Sequence, residues 1–326
     1  MAWRALLHGE ARGLTKLLKD ITPLHFGAGQ ECSFPAVLAV ATKSEYDWLM
    51  GTSGAAFDLT IDLAGFDPLS ATPRDPETMA LAARAAGMKL DDVPPPYDDD
   101  LRALVGSRIR EAIDDKLPPL IRGAVGPPEY GLIVGYVNDD RYLVRTFFDK
   151  SDKPSEIGWP DFIDADHGGP IFLDRTPEIE RAAAAKGGID AGIARAARSE
   201  SALTGWAAAL RDDARWTDTK HAGTAAFSDH AMRIVLADKR RAAARFLRGL
   251  RSLFATPGGD LLRAAESYGY VVEALEKLGT KPFDASVAMR FMDAGHRRGI
   301  AKALETVLGH EQEAHDALRA ARATIR

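Results

Sequence analysis

The chain has 326 residues, 46% of them hydrophobic and 27% charged, and a net charge of −5. That length suffices for two domains, each burying its own core. The mildly acidic balance gives no reason to expect nucleic acid, and a lone cysteine, Cys32, excludes an internal disulfide or a cysteine-built metal site.

The opening MAWRALLHGEARGLTKLLKD spreads its charges and lacks the apolar core of a signal peptide, and no stretch reaches the length of a membrane span. A soluble cytoplasmic protein is therefore expected. Ala2 to Lys19 is amphipathic enough for a helix, ended by Thr22-Pro23. Phe34 to Thr42 follows as a short apolar helix with Pro35 in its first turn. Glu45 to Met50 adds a further turn of helix and leads through GTSG (51–54) into an expected strand, AAFDLTIDL. Glu77 to Gly87 reads as a helix closed by glycine, Asp91 to Asp100 as a loop, and Leu101 to Lys116 as a helix. PLIRGAV (119–125) is a short strand. Gly131 to Phe148 is a pair of strands turning at Val137–Arg141.

Near residue 175 the composition shifts to Ala, Arg, Leu and Glu with few breakers, which reads as helix. Five helices are expected, over 177–186, 189–211, 222–255, 258–279 and 284–323, the last broken near Gly309. The interruptions TPGG (256–259) and TKP (280–282) are short enough for an antiparallel bundle. The expected domains are 1–175 and 176–326.

Cys32 lies in GAGQECSFPAVLAVA, where a glycine-rich loop runs into a helix. The positive end of a helix dipole lowers a thiol's pKa and favours thiolate. The alternative is a small buried residue packing a helix start. GTSGAAFD (51–58) could offer backbone N–H groups to a carboxylate or phosphate, or be a turn that needs glycine geometry; its spacing is not that of a P-loop. His25 and His167 could each supply imidazole, or serve as surface or capping residues. Asp164, Asp166 and His167 are hard-metal ligand types but lack the alternation and closing glutamate of a calcium loop. The spacing of five between His310 and His315 is one too long for a zinc-protease helix, so this reads as exposed surface. Arg240, Arg241, Arg245, Arg248 and Arg251 form a basic stripe, either clamping an anionic substrate or carrier arm or forming solvated ion pairs.

The segments GQECSFPAVLAV, YDWLMGTSGAAFDL, DDKLPPLI and PEYGLIVGYVNDDRYLVRTFFD, in that order, resemble papain-like cysteine peptidases of the bacteriocin-leader type. More closely, they resemble the N-terminal domain of the butirosin-biosynthesis acyltransferase family. GIDAGIARAARSESALTGWAAAL and RRAAARFLRGL resemble the helical domain that often follows it. The resemblance implies an α+β fold: a papain-like domain with a small antiparallel sheet, followed by an all-α bundle. It implies Cys32 as nucleophile and Asp149 as orienting acid. The family's histidine position is occupied by Glu129 in EYGLIVGY, and Gln30 lacks the usual oxyanion-glutamine spacing. His25, Gln30, Ser53, Gly54 and Tyr136 are the expected substrate-binding residues. Two functions stay open: acyl transfer or amide hydrolysis through Cys32 in specialised metabolism, and a catalytically silent relative that binds a small molecule or partner. The implied partner is a small-molecule or acyl/peptidyl substrate, with a carrier protein and a homodimer as options. No cofactor, metal, nucleic acid or membrane is expected.

Overall fold

The computed structural model describes residues 15–138, 140–159, 168–279 and 289–325. Asp164, Asp166, His167 and most of the first expected helix lie outside the described residues. By internal packing the chain divides into two compact units whose segments alternate in sequence. One comprises Met1–Phe26, Val40–Lys43 and Lys89–Arg175; the other comprises Gly27–Ala39, Ser44–Met88 and Thr176–Arg326.

The first unit is built on a sheet. Its strands are β1 (Lys16–Leu17), β2 (Met88–Asp92), β3 (Leu120–Arg122), β4 (Tyr130–Tyr136), β5 (Arg141–Arg145), β6 (Ser155–Gly158) and β7 (Ile171–Arg175). Their order is β2-β7-β3-β4-β5-β6, with β1 also pairing β4. The expected hairpin is β4 and β5, paired antiparallel. Strand β4 reads YGLIVGY and is buried at every position, as a charge-free run of this length should be. Helix α4 (Asp99–Asp114) packs on it. Its Val105, Ile109 and Ile113 recur every four residues and join Ile133, Tyr142 and Trp159 in the core.

The helix expected over 2–19 is corrected where it is described: Lys16 and Leu17 are a strand. The reason lies in β4. Strand β3 covers only Tyr130 to Leu132, so the same edge is open at Gly135 and Tyr136, and β1 pairs there. A Cβ on Gly135 would lie 2.2 Å from the Lys16 carbonyl oxygen, so the close approach depends on glycine. Strands β2, β6 and β7 carry no clear signal in the sequence, being short with few apolar residues in alternation.

The second unit is helical: the start of α1 (Ser33–Thr42), α2 (Tyr46–Thr52), α3 (Pro76–Ala85), α5 (Arg181–Arg211), α6 (Thr219–Gly249), α7 (Gly258–Lys277) and α8 (Ala294–Thr324). Helix α8 packs on α5 and α7, α6 on α7, and the short α2 on both α5 and α6. Glu180, Asp218 and Asp293 cap α5, α6 and α8 with side-chain oxygens on first-turn N–H groups.

Three expectations are revised here. The helices expected over 177–186 and 189–211 are one, because Gly187-Gly188 continues α5. Gly188 is there for packing: a Cβ on it would stand 2.3 Å from the Gly51 carbonyl oxygen of α2. Gly309 does not break α8, since it lies on the exposed face while Val307, Ala314 and Leu318 are buried. AAFDLTIDL forms no strand. Side chains take the place of a ladder, with Ser199 Oγ donating to Phe57 O (3.2 Å) and accepting from Leu59 N (2.9 Å), and Arg240 Nη1 donating to Ala56 O (2.6 Å).

Two neighbouring glycines give a paired test. Gly188→Ala should lower stability by about 1–3 kcal/mol, because its methyl meets rigid backbone. Gly187→Ala, with nothing within 4 Å of its Cβ, should raise it by about 0.5–1 kcal/mol. Urea midpoints at unchanged m measure both. Equal effects at the two positions would refute the packing account.

Candidate functional site

The segment before α1 is shaped by two glycines. Gly27 and Gly29 have φ of +84° and +81°, a conformation few other residues adopt. The loop thereby turns its N–H groups onto the Glu31 carboxylate: Gly27 N donates at 2.9 and 3.0 Å and Gly29 N at 3.1 Å. The next two N–H groups belong to the helix start. Glu31 N donates to Asp238 Oδ2 (2.9 Å) and Cys32 N to the Tyr46 hydroxyl (3.3 Å). That hydroxyl donates in turn to the same Asp238 oxygen, at 2.6 Å. Tyr46 opens α2 and Asp238 sits midway along α6, so three elements meet at the cysteine.

Burial dominates the electrostatics. Cys32 is 0% exposed and Asp238 1%. Desolvation pushes the Asp238 carboxyl up to about 6, against the hydrogen bonds from Tyr46 and the Glu31 N–H that favour its charge. The Tyr46 phenol is raised well above its ordinary value, by burial first and then by the proximity of Cys32 and Asp238. Lys239 is lowered by burial, and its ammonium donates to Ala71 O at 2.9 Å. A thiolate at Cys32 would share this space with the Asp238 carboxylate, which disfavours it, and with the Lys239 ammonium, which favours it.

Beside the helix start opens a cleft of about 430 Å³ lined by Gly27, Gly29, Glu31, Ile234, Arg241 and Arg245, among others. The basic stripe divides here. Arg241 pairs with Glu276 at 2.8 Å and Arg245 stands 3.6 Å from Asp47, both on the outer face. Arg240 is instead fully buried and paired with Glu311. The zinc-like spacing in α8 is also revised. His315 is not exposed surface but 0% exposed, because it shares the buried stripe of Glu311 and Leu318.

The other expected residues fall as follows. Gln30 is exposed, between Gly29 and Glu31. Ser53 is fully buried, and its hydroxyl donates to Leu49 O at 2.7 Å, closing α2. Gly54 has φ +76°, and a Cβ on it would meet Ala191 Cβ at 2.7 Å, so this turn is used for packing on α5. His25, Glu129, Tyr136 and Asp149 belong to the first unit, whereas Gln30, Cys32, Ser53 and Gly54 belong to the second. His25 is exposed; Tyr136 is part of the β4 core. Glu129 is buried just before β4, its N–H donating to Pro127 O at 2.7 Å. The Asp149 carboxylate is wholly buried and accepts from Thr146 N (3.2 Å), Thr146 Oγ1 (3.2 Å) and Ser155 Oγ (3.4 Å), with Arg145 at 3.4 Å. It staples the β5–β6 connection. Tyr46, Asp238 and Lys239 went unrecognised in the sequence. The one signal for Asp238 and Lys239 is a run of consecutive charges, DKRR, inside an otherwise alanine-rich helix.

No family model matches the chain, and no curated protein matches it. Among the described residues no three metal-ligating side chains cluster, and no helix is long and apolar enough to cross a membrane.

Asp238 makes stability depend on pH. Its folded pKa of about 6 exceeds the ordinary 3.8, so the folded state binds the proton more tightly. The stabilisation is complete below about pH 4 and is lost as pH rises through about 6, by about 3 kcal/mol in all. Asp238→Asn should flatten this part of the curve when denaturant midpoints are compared at pH 4.5 and 7.5. An unchanged difference between the two pH values would exclude Asp238 as its source.

Proposed function

We propose that this chain has the papain-like arrangement of the butirosin-type acyltransferase domain it resembles. It binds a small acyl-bearing, anionic molecule in the Gly27–Glu31 cleft without using Cys32 as a nucleophile. One observation carries this reading. An acyl transfer at cysteine develops an oxyanion that needs waiting N–H donors. The N–H groups of Glu31 and Cys32 are already hydrogen-bonded, to Asp238 and to Tyr46. Support for the ligand comes from Arg245 on the cleft wall, whose side chain is half exposed, since guanidinium suits phosphate and carboxylate geometry; Arg241 beside it is engaged by Glu276. Glu129, where the resembled family has histidine, is in keeping with lost catalysis.

The second reading, acyl transfer or amide hydrolysis at Cys32, draws on Asp238. A carboxyl near 6 is suited to accept protons at neutral pH, and the Tyr46 hydroxyl links it to the cysteine residue.

Two measurements decide between them. In the native protein, iodoacetamide should leave Cys32 unlabelled until denaturant is added, and acetyl-N-acetylcysteamine thioester should leave no acetyl adduct in the intact mass. Alkylation with an apparent pKa below that of a free thiol, about 8.5, or an adduct absent from Cys32→Ala, establishes the enzyme reading instead. Phosphopantetheine should raise the Tm of the wild type and not that of Arg245→Glu. No shift in the wild type overturns the binding reading.

A further inference from the structure

The centre of the helical unit holds a polar group that the cysteine cleft does not use. Arg240 of α6, Tyr268 of α7, and Glu311 and His315 of α8 are each 0% exposed. Arg240 Nε donates to Glu311 Oε1 and its Nη1 to Ala56 O. The Arg240 guanidinium lies 5.4 Å from the Tyr268 ring centroid, and the His315 ring lies 6.4 Å from it. His315 Nδ1 is 2.8 Å from Glu200 Oε1, so α5 joins the network. Four buried atoms in this one neighbourhood have no hydrogen-bond partner among the described residues: Arg240 Nη2, Tyr268 Oη, Glu311 Oε2 and His315 Nε2.

Their chemistry narrows what satisfies them. Glu311 accepts from Arg240 Nε through Oε1, and a carboxylate paired with a guanidinium only accepts. Glu200, partly exposed, is likewise an acceptor, so the hydrogen of the Glu200–His315 bond sits on Nδ1 and leaves Nε2 a lone pair. Burial, which pushes the His315 pKa down, keeps the ring neutral. Glu311 Oε2 and His315 Nε2 therefore face each other as two acceptors 3.6 Å apart, and neither can satisfy the other. Arg240 Nη2 is a donor with no acceptor among the described residues, and Tyr268 Oη can give or take. A buried polar atom left unmade costs about 1–3 kcal/mol, and four together are not tolerated in a folded core. A metal ion does not fit, since a guanidinium would be in its shell and, among the described residues, no three ligating side chains cluster.

We propose that these four side chains bind one buried water molecule. It donates to Glu311 Oε2 and His315 Nε2 and accepts from Arg240 Nη2 and Tyr268 Oη, with His315 as the neutral Nδ1–H tautomer. Water has the two donors and two acceptors that the set requires, and buried waters commonly make about three such bonds. With Glu200 holding the imidazole, the site ties α5, α6, α7 and α8 through one molecule.

A crystal structure of the full chain tests the proposal. The expected result is a single water peak within about 2.6–3.2 Å of at least three of the four atoms. No peak, with Tyr268 or Glu311 turned directly onto His315, overturns it; so does a peak with an anomalous signal. In solution, nitrogen NMR of His315 at pH 7 should show Nε2 as an unprotonated, pyridine-type nitrogen. An imidazolium protonated at both nitrogens would mean that His315 bridges Glu200 and Glu311 as a cation, and the water assignment fails.

Discussion

Removing an ion from water into a protein interior costs several kcal/mol unless its bonding capacity is met, and α6 does this repeatedly. Asp229, Asp238, Lys239 and Arg240 are each at most 1% exposed. Each fixes a different part of the helical unit. Asp229 takes Trp206 Nε1 (3.0 Å) from α5, and Arg233 from its own helix. Asp238 takes the start of α1 and Tyr46. Lys239 takes Ala71 O, and Arg240 takes Glu311 together with Ala56 O. The long connection over 53–75 is thus held by side chains where a sheet would have used backbone.

The same constraint decides what the cysteine can do. Asp238 is buried for structural reasons, yet its position puts a carboxylate and a phenol at the N-terminal end of α1. The helix dipole there favours thiolate, whereas burial and the neighbouring acid oppose it. Cys32 is fully enclosed, so no reagent reaches it without the surrounding elements parting.

Legibility in the sequence followed the origin of each element's stability. Helices α3, α4 and α7, the β4–β5 hairpin and the short β3 were readable because local signals agree, such as Gly87 after α3 and the turn residues after Tyr136; the Asp98 cap that starts α4 falls in the stretch expected as a loop. The α+β class was implied by the family resemblance, and the helical character after residue 175 was legible in the composition shift. What went unread depends on tertiary contact. Gly187-Gly188 looks like a helix stop until Gly51 is seen against it. AAFDLTIDL alternates like a strand, but Ser199 and Arg240 claim its backbone. Lys16 and Leu17 belong to a helical pattern overridden by an open edge of β4. Of the candidate site, Cys32 and its glycine loop were legible. Tyr46 and Asp238 were not, because 192 residues separate them and nothing local to either segment says that they meet.

The Glu31 carboxylate, seated on the N–H groups of Gly27 and Gly29, is a tenant attached to its own lodging. A group tethered by a few residues acts at an effective concentration of at least about the millimolar range. Those amides are therefore engaged within the loop itself, and another anion meets them only by displacing the Glu31 carboxylate.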